Sequence, residues 1–302
     1  MRFCASLLAL AQVSGQNLVF PVGVDLVQVV VSVSAKDGAP LRDLEVKDFV
    51  VRDNGKPVAI ETFLHMQDAA ASDRLPVEVA LLLDTSSSMK GDLTRARDAI
   101  VDFAQAVPSF ANGRILAFDR DAYDRAFDPQ SVKPVLDQMI HMKGGAGTRI
   151  FDAVIDGAGL VPRQRGRRVM VLFTDGEDST SRRSLQDAVR ALQESEVTCY
   201  VVSYSSRLAA FTSGRGASKD LVRDAQRALE NLAQGSGGFV VDGTSPDVVV
   251  QLRRIAFDIA SSYVIGFTGA PSKKVEHRRL GVEVARRDVT VRHREGYDTK
   301  PH

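Results

Sequence analysis

Cysteine and histidine are scarce in this chain of 302 residues, and their scarcity excludes several kinds of site. The two cysteines, Cys4 and Cys199, form neither a disulfide framework nor a Cys-x-x-Cys motif. The five histidines are scattered along the chain without the spacing of metal ligands. The sequence therefore argues against a disulfide-stapled domain and against a zinc site built from cysteine and histidine.

The chain also has almost no net charge. Its 39 lysines and arginines balance 38 aspartates and glutamates, which leaves a formal charge of +1. Such a balance gives no electrostatic reason to expect a nucleic acid or an anionic membrane as a partner. The basic run at residues 163–168 contains no aromatic residue and indicates a solvated loop.

Beyond the N-terminus, no segment is apolar for long enough to span a bilayer. At the N-terminus, a positive charge precedes an apolar core at residues 3–10 and a small-residue cleavage site at residues 13–15. This order predicts a signal peptide over residues 1–15 and a secreted, periplasmic or cell-envelope protein. Cys4 would leave with the signal, and Cys199 lies in an apolar strand, where we expect a buried, unreactive thiol.

Residues 24–67 have the pattern of a small antiparallel β module. A β-branched run at 27–33 and two further strands at 49–52 and 58–63 are separated by turns. The module is too short to form a full sandwich by itself. Residues 68–75 are small and polar and indicate a linker.

From residue 76 to residue 262, apolar strands alternate with amphipathic helices. The strand-like runs lie at residues 77–83, 115–118, 169–173, 199–203 and 239–241. The helical faces lie at residues 93–107, 150–160, 185–192, 221–232 and 248–259. Strands this apolar, separated by helices, predict a doubly wound α/β domain whose mostly parallel sheet is covered on both faces.

Local signals mark several helix ends. Ser184 and Asp187 have the spacing of a capping box, and Thr148 is placed to cap the helix that follows it. Pro246 is expected at the first position of the last helix, and the glycines within residues 235–238 end the helix before it. These signals predict helix boundaries from residues close together in sequence.

After residue 262 the strand pattern returns, and residues 263–297 contain three strand-like runs. Neither this segment nor residues 24–67 has enough strands to fold alone. An economical arrangement pairs the two segments in a single β-sandwich. The α/β domain would then be inserted into the sequence of that sandwich.

Oxygen-bearing side chains follow two of the apolar strands and one glycine-rich loop. Residues 84–88 read Asp-Thr-Ser-Ser-Ser, Asp175 follows a second strand, and Thr148 follows the glycines within residues 144–147. The carboxyl ends of parallel strands share one edge of a sheet, so we expect these groups to converge. Hard oxygen donors suit Mg²⁺, Mn²⁺ or Ca²⁺, although residues 84–88 alone also fit a turn or a helix N-cap.

This order and spacing resemble the von Willebrand factor type A domain, whose metal-ion-dependent adhesion site uses Asp-x-Ser-x-Ser, a Thr and an Asp. The matching residues are Asp84, Ser86, Ser88, Thr148 and Asp175. The resemblance covers residues 76–262. The flanking β segments, including Arg-Glu-Gly-Tyr at residues 294–297, look like those of a group of secreted bacterial proteins with this domain.

The resemblance implies a metal-dependent protein-binding module without catalysis. Ser86, Ser88 and Thr148 would supply neutral oxygens to Mg²⁺, or to Mn²⁺ or Ca²⁺, while Asp84 and Asp175 hold waters and orient the hydroxyls. An ion with few anionic ligands keeps an open position for an Asp or Glu carboxylate of another protein. In the family, that bond is coupled to a shift of the domain's last helix.

Two alternatives stay open at this point. A Mg²⁺ ion beside Asp84 and several serines also suits a metal-dependent hydrolase of the phosphatase kind. If residues 1–15 are not a signal peptide, a cytosolic type A protein that works with an ATPase partner also fits.

Residues 119–124 begin like a calcium loop but have neither its Gly nor its distal Glu, and they predict a solvated hairpin. Residues 205–219 predict a partner-facing or a plain surface loop.

Overall fold

The structure is a computed structural model, and it describes residues 26–66, 76–107, 110–141, 147–162, 166–205 and 219–300. Its strands are β1 (Leu26–Ala35), β2 (Phe49–Asp53), β3 (Lys56–Val58), β4 (Thr62–His65), β5 (Val77–Asp84), β6 (Phe110–Phe118), β7 (Ala122–Phe127), β8 (Arg167–Thr174), β9 (Thr198–Ser203), β10 (Val240–Asp242), β11 (Tyr263–Thr268), β12 (His277–Val284), β13 (Val289–Arg292) and β14 (Gly296–Asp298). Its helices are α1 (Leu93–Ala106), α2 (Val132–Met139), α3 (Ile150–Leu160), α4 (Leu185–Glu194), α5 (Lys219–Ser236) and α6 (Val248–Ala260).

Several sequence predictions lie outside the described residues. They are the signal peptide at 1–15, all of the linker at 68–75, the loop residues 144–146, the basic residues 163–165 and most of the loop at 205–219.

A six-stranded sheet forms the centre of the α/β part, in the order β10-β9-β8-β5-β6-β7. Its pairs are parallel except β6–β7, which is the antiparallel hairpin predicted around residues 119–124. Helices α1, α2 and α6 cover one face, and α3, α4 and α5 cover the other. Both faces of β5 are therefore buried, which is why its sequence is apolar at nearly every position. The predicted doubly wound fold is confirmed.

The two ends of the chain together build a β-sandwich. One antiparallel sheet has the order β13-β1-β11-β4 and the other β14-β12-β2-β3, so both sheets mix N-terminal and C-terminal strands. Alternate residues such as Val29, Val51 and Ile265 point inward and form one core. The predicted sandwich-like module of N- and C-terminal strands is confirmed.

One predicted strand, at residues 58–63, is wrong. Val58 ends β3, which pairs with β2, whereas Thr62 begins β4, which pairs with β11 in the opposite sheet. The chain crosses from one sheet to the other at residues 59–61. Both sides of the crossing are apolar, so the pattern of hydrophobic residues does not reveal it.

The predicted helix boundaries agree with the structure at some helix ends and differ from it at others. Ser184 caps α4 and exchanges bonds with Asp187 as a capping box, as predicted. Pro246 does not open α6, which begins at Val248. The amide of Asp247 donates to the hydroxyl of Ser245, so these residues form a turn before the helix. Helix α2 had no detectable signal because it has eight residues and a proline in its first turn.

Candidate metal centre

Asp84 and Asp175 lie side by side at the carboxyl edge of the central sheet. Asp84 ends β5, and Asp175 directly follows β8, the strand paired with β5. From β5 the chain continues to β6 on one side, and from β8 to β9 on the other. This is the switch point of the sheet, where open α/β folds bind their ligands.

The carboxylate of Asp84 is fully buried and held on both oxygens. Its Oδ1 accepts a hydrogen bond from the amide of Ser86 at 2.9 Å. Its Oδ2 accepts one from the hydroxyl of Thr174 at 2.6 Å. These two bonds fix the plane of the carboxylate.

The carboxylate of Asp175 is buried but only partly satisfied. Its Oδ1 accepts a hydrogen bond from the amide of Glu177 at 3.3 Å. Its Oδ2 is buried and has no hydrogen-bond partner among the described residues. A buried carboxylate oxygen without a partner is costly unless a ligand completes it.

Burial disfavours the charged form of both carboxylates. Burial, followed by the negative charge of Asp175, raises the pKa of Asp84 to about 7. Burial also raises the pKa of Asp175, and the nearby Ser88 hydroxyl opposes part of that rise. In the described part of the chain, no lysine or arginine hydrogen-bonds to either group. A bound cation would supply the missing positive charge.

Three hydroxyl-bearing residues complete the predicted set. The hydroxyls of Ser86 and Ser88 lie 3.2 Å apart beside Asp84. Thr148 is buried, and its backbone is held by the loop after Asp175. Its amide donates to Ser179 Oγ at 2.9 Å, and its carbonyl accepts from the amides of residues 179 and 180. Among the described residues no hydrogen bond uses the Thr148 hydroxyl, which leaves it available to a ligand.

The structure corrects the predicted capping role of Thr148. The residue at the N-cap of α3 is Arg149, and its side chain makes no capping bond. Instead, Asp178 Oδ2 accepts from the amide of Phe151 at 3.2 Å. The carboxylate of Asp152, in the first turn of α3, accepts in return from the amides of residues 182 and 183. This exchange ties the helix to the loop after Asp175, a contact between segments that sequence spacing does not indicate.

The oxygen atoms of the five predicted residues are ligands that suit a hard cation. No group of three or more His, Cys, Asp or Glu that could hold a metal occurs in the described part of the chain. The five predicted residues include only two carboxylates and are otherwise hydroxyls, a set that suits Mg²⁺ better than zinc or copper. The Asp175 oxygen and the Thr148 hydroxyl, neither of which has a hydrogen-bond partner among the described residues, both fit such an ion.

A sequence model of the von Willebrand factor type A domain matches residues 78–252. The chain belongs to this family. The match covers the central sheet from β5 and ends within α6, so the type A domain of this chain contains all five predicted residues. A search of the curated proteins found no match.

The solved structures to which this chain is similar include three from different organisms. An aerotolerance-related membrane protein from Bacteroides fragilis is 19% identical, with 61% of this chain and 98% of that chain covered and a TM-score of 0.47. The pilus adhesin SpaC from Lactobacillus rhamnosus is 10% identical, with 82% of this chain and 42% of that chain covered and a TM-score of 0.46. Proximal thread matrix protein 1 from the mussel byssus, with a zinc-occupied adhesion-site motif, is 15% identical, with coverages of 68% and 49% and a TM-score of 0.47.

Proposed function

We propose that the carboxyl edge of the type A domain binds a divalent cation, Mg²⁺ or in its place Mn²⁺ or Ca²⁺. The proposed site residues are Asp84, Ser86, Ser88, Thr148 and Asp175. The observation that carries the proposal is the buried Asp175 Oδ2, which has no partner among the described residues and lies beside a second buried carboxylate. Two adjacent buried carboxylates without a basic partner are stabilised by a cation.

The cation would serve to bind another protein. Hydroxyls are neutral ligands, and the Asp84 carboxylate already accepts hydrogen bonds from Ser86 and Thr174. The ion therefore keeps much of its positive charge. An Asp or Glu side chain of a partner supplies the anionic oxygen that such an ion favours. We therefore propose an adhesion or interaction module that is not an enzyme.

We further propose that the protein works outside the cytoplasm. The support is the N-terminal sequence of residues 1–15, with its apolar core and small-residue cleavage site. Among the described helices, none combines the length and the apolar character that crossing a membrane requires. Mass spectrometry of the mature N-terminus tests the location independently of the metal site.

The test of function is a pull-down from cell-envelope extract with immobilised protein. We expect a partner that is retained in Mg²⁺, released by EDTA, and released by excess acetate but not by chloride at the same ionic strength. Asp175→Asn should lose the partner. Asp98→Asn, whose carboxylate is exposed and paired with Arg97, should keep it.

Three results count against this function. Retention that is equal in Mg²⁺ and EDTA means that partner binding does not need the metal. Retention that is insensitive to acetate means that the partner does not bind through a carboxylate. Phosphatase turnover that disappears in Asp84→Ala shows a hydrolase instead of a binding module.

A further inference from the structure

The proposed metal site consists of two halves that come from different segments of the chain. The first half is the Asp84–Ser88 turn after β5. The second half combines Thr148 with the loop after β8, because the Thr148 amide and carbonyl bond residues 179 and 180. Metal affinity depends on how accurately these two halves are held relative to each other.

Thr174 bridges the two halves with a single hydroxyl. It is the last residue of β8 and is fully buried. Its Oγ1 donates to Asp84 Oδ2 at 2.6 Å and accepts from the amide of Gly176 at 3.1 Å. The Thr174 hydroxyl donates its only proton to Asp84, so it accepts from the Gly176 amide through an oxygen lone pair.

The bond to Gly176 holds the turn that directs Asp175. Gly176 has φ of +91°, a conformation that favours glycine and that a side chain would strain. Its amide is tied to Thr174, and the intervening Asp175 is thereby placed beside Asp84. One hydroxyl thus sets both the plane of one carboxylate and the turn that carries the other.

We propose that Thr174 is a positioning residue of the metal centre, although it belongs to none of the five ligand positions. This inference rests on the proposed function. Without the hydroxyl, Asp84 Oδ2 and the Gly176 amide are both buried and lose this partner. The Asp84 carboxylate then rotates more freely, and the two halves approach the ion with poorer geometry.

The test compares Thr174→Val, which has nearly the same shape and no hydroxyl, with Thr174→Ser, which keeps the hydroxyl. Isothermal titration with Mg²⁺ should show affinity weakened roughly tenfold or more in Thr174→Val, as for other residues that orient metal ligands. Thr174→Ser should recover most of that affinity. If the valine variant does not fold, Thr174→Ala against Thr174→Ser makes the same comparison.

Thr198→Val is the matched control. Thr198 is also a buried threonine, but it begins β9 at the other end of the sheet, and its hydroxyl accepts from Arg167 at 2.8 Å. We expect it to lower the melting temperature without changing Mg²⁺ affinity, since a purely structural loss does not reach the site.

The outcomes separate this inference from the function on which it rests. Absence of Mg²⁺ binding by the unmodified protein overturns the proposed function itself. Mg²⁺ binding that is equally tight in Thr174→Val, or equally weakened in Thr198→Val, overturns only the role of Thr174. Failure of Thr174→Ser to recover affinity also contradicts a role for the hydroxyl.

Discussion

Tyr200 in β9 donates a 2.7 Å hydrogen bond to Oδ2 of Asp258 in α6, and both side chains are buried. The same oxygen accepts a hydrogen bond from Ser32 of β1 at 3.1 Å, and Oδ1 is paired with Arg292 of β13. One carboxylate therefore joins the sheet and the last helix of the type A domain to the β-sandwich. The two parts of the chain are connected by buried polar contacts as well as by the polypeptide.

Asp258→Asn should lower the free energy of unfolding by about 3 kcal/mol, because Arg292 then keeps its charge without the buried anion that balances it. Urea denaturation at neutral pH measures the loss. Asp98→Asn is the control, since Asp98 pairs with Arg97 on the surface with 62% of its side chain exposed. It should cost less than about 1 kcal/mol. Equal losses in the two variants contradict the importance of the buried contact.

Arg294→Lys should loosen the same junction at a second point. The Arg294 guanidinium donates to the carbonyl of Gln193 at 2.7 Å and to that of Gln28 at 2.6 Å, one in each part of the chain. Lysine keeps the charge but has no planar fork to reach both carbonyls, so we expect a loss of roughly 1–3 kcal/mol. Faster hydrogen exchange in β1 should accompany it.

The control for Arg294 is Arg286→Lys. Arg286 also makes two bonds, but both reach the exposed carboxylate of Asp43 within the sandwich. This change should cost less than about 1 kcal/mol. If Arg294→Lys is as mild and leaves exchange in β1 unchanged, Arg294 does not hold the two parts together.

His293 should make stability depend on pH. Its Nε2 accepts from the amide of Val282, and its Nδ1 bonds the carbonyl of Arg294, so the neutral ring is satisfied. Burial lowers the pKa of His293 below its ordinary 6.5, against opposing effects of the Arg294 carbonyl and the Glu295 charge. The unfolded chain then binds more protons, so this stability is complete above pH 6.5 and is lost as the pH falls towards the lowered pKa.

Urea denaturation between about pH 5 and pH 8 tests this dependence. The difference in stability between the unmodified protein and His293→Gln should shrink on acidification, because glutamine cannot take up the proton. A difference that stays constant over this range shows that His293 does not contribute the effect.

Two glycines in α3 should respond differently to replacement by alanine. A Cβ at Gly157 would lie 2.8 Å from Leu82 in β5, whereas one at Gly159 would meet nothing within 4 Å. Gly157→Ala should therefore destabilise by roughly 1–3 kcal/mol through overpacking. Gly159→Ala should be neutral or stabilise by up to about 1 kcal/mol through helix propensity. Thermal unfolding distinguishes them, and the reverse order contradicts the packing of α3 on the sheet.

The fold and the site residues were predictable from sequence to different depths. Apolar runs such as Leu81 to Leu83 identify buried parallel strands, because burial on both faces leaves no room for alternation. The order of the strands then predicts that Asp84 and Asp175 share an edge. Their side-by-side placement in the structure agrees with that expectation, whereas their metal role stays a prediction.

What the sequence did not reveal depends on contacts between distant segments. Asp178 bonds the amide of Phe151, 27 residues earlier in the chain, and takes the capping role that local spacing assigned to Thr148. Thr174 looks like an ordinary strand end, because its partner Asp84 lies 90 residues away. Such contacts follow from the topology of the sheet, and no local pattern records them.

Isothermal titration of chelator-treated protein with Mg²⁺ tests the central claim most directly. We expect about one ion per chain, bound in the unmodified protein and lost in Asp175→Asn, because Asp175 Oδ2 is a buried carboxylate oxygen without a hydrogen-bond partner among the described residues. Asp137→Asn, whose carboxylate is paired with Arg97 and Lys133 on the surface, should bind like the unmodified protein. No Mg²⁺, Mn²⁺ or Ca²⁺ binding, or binding that survives in Asp175→Asn, would contradict the account.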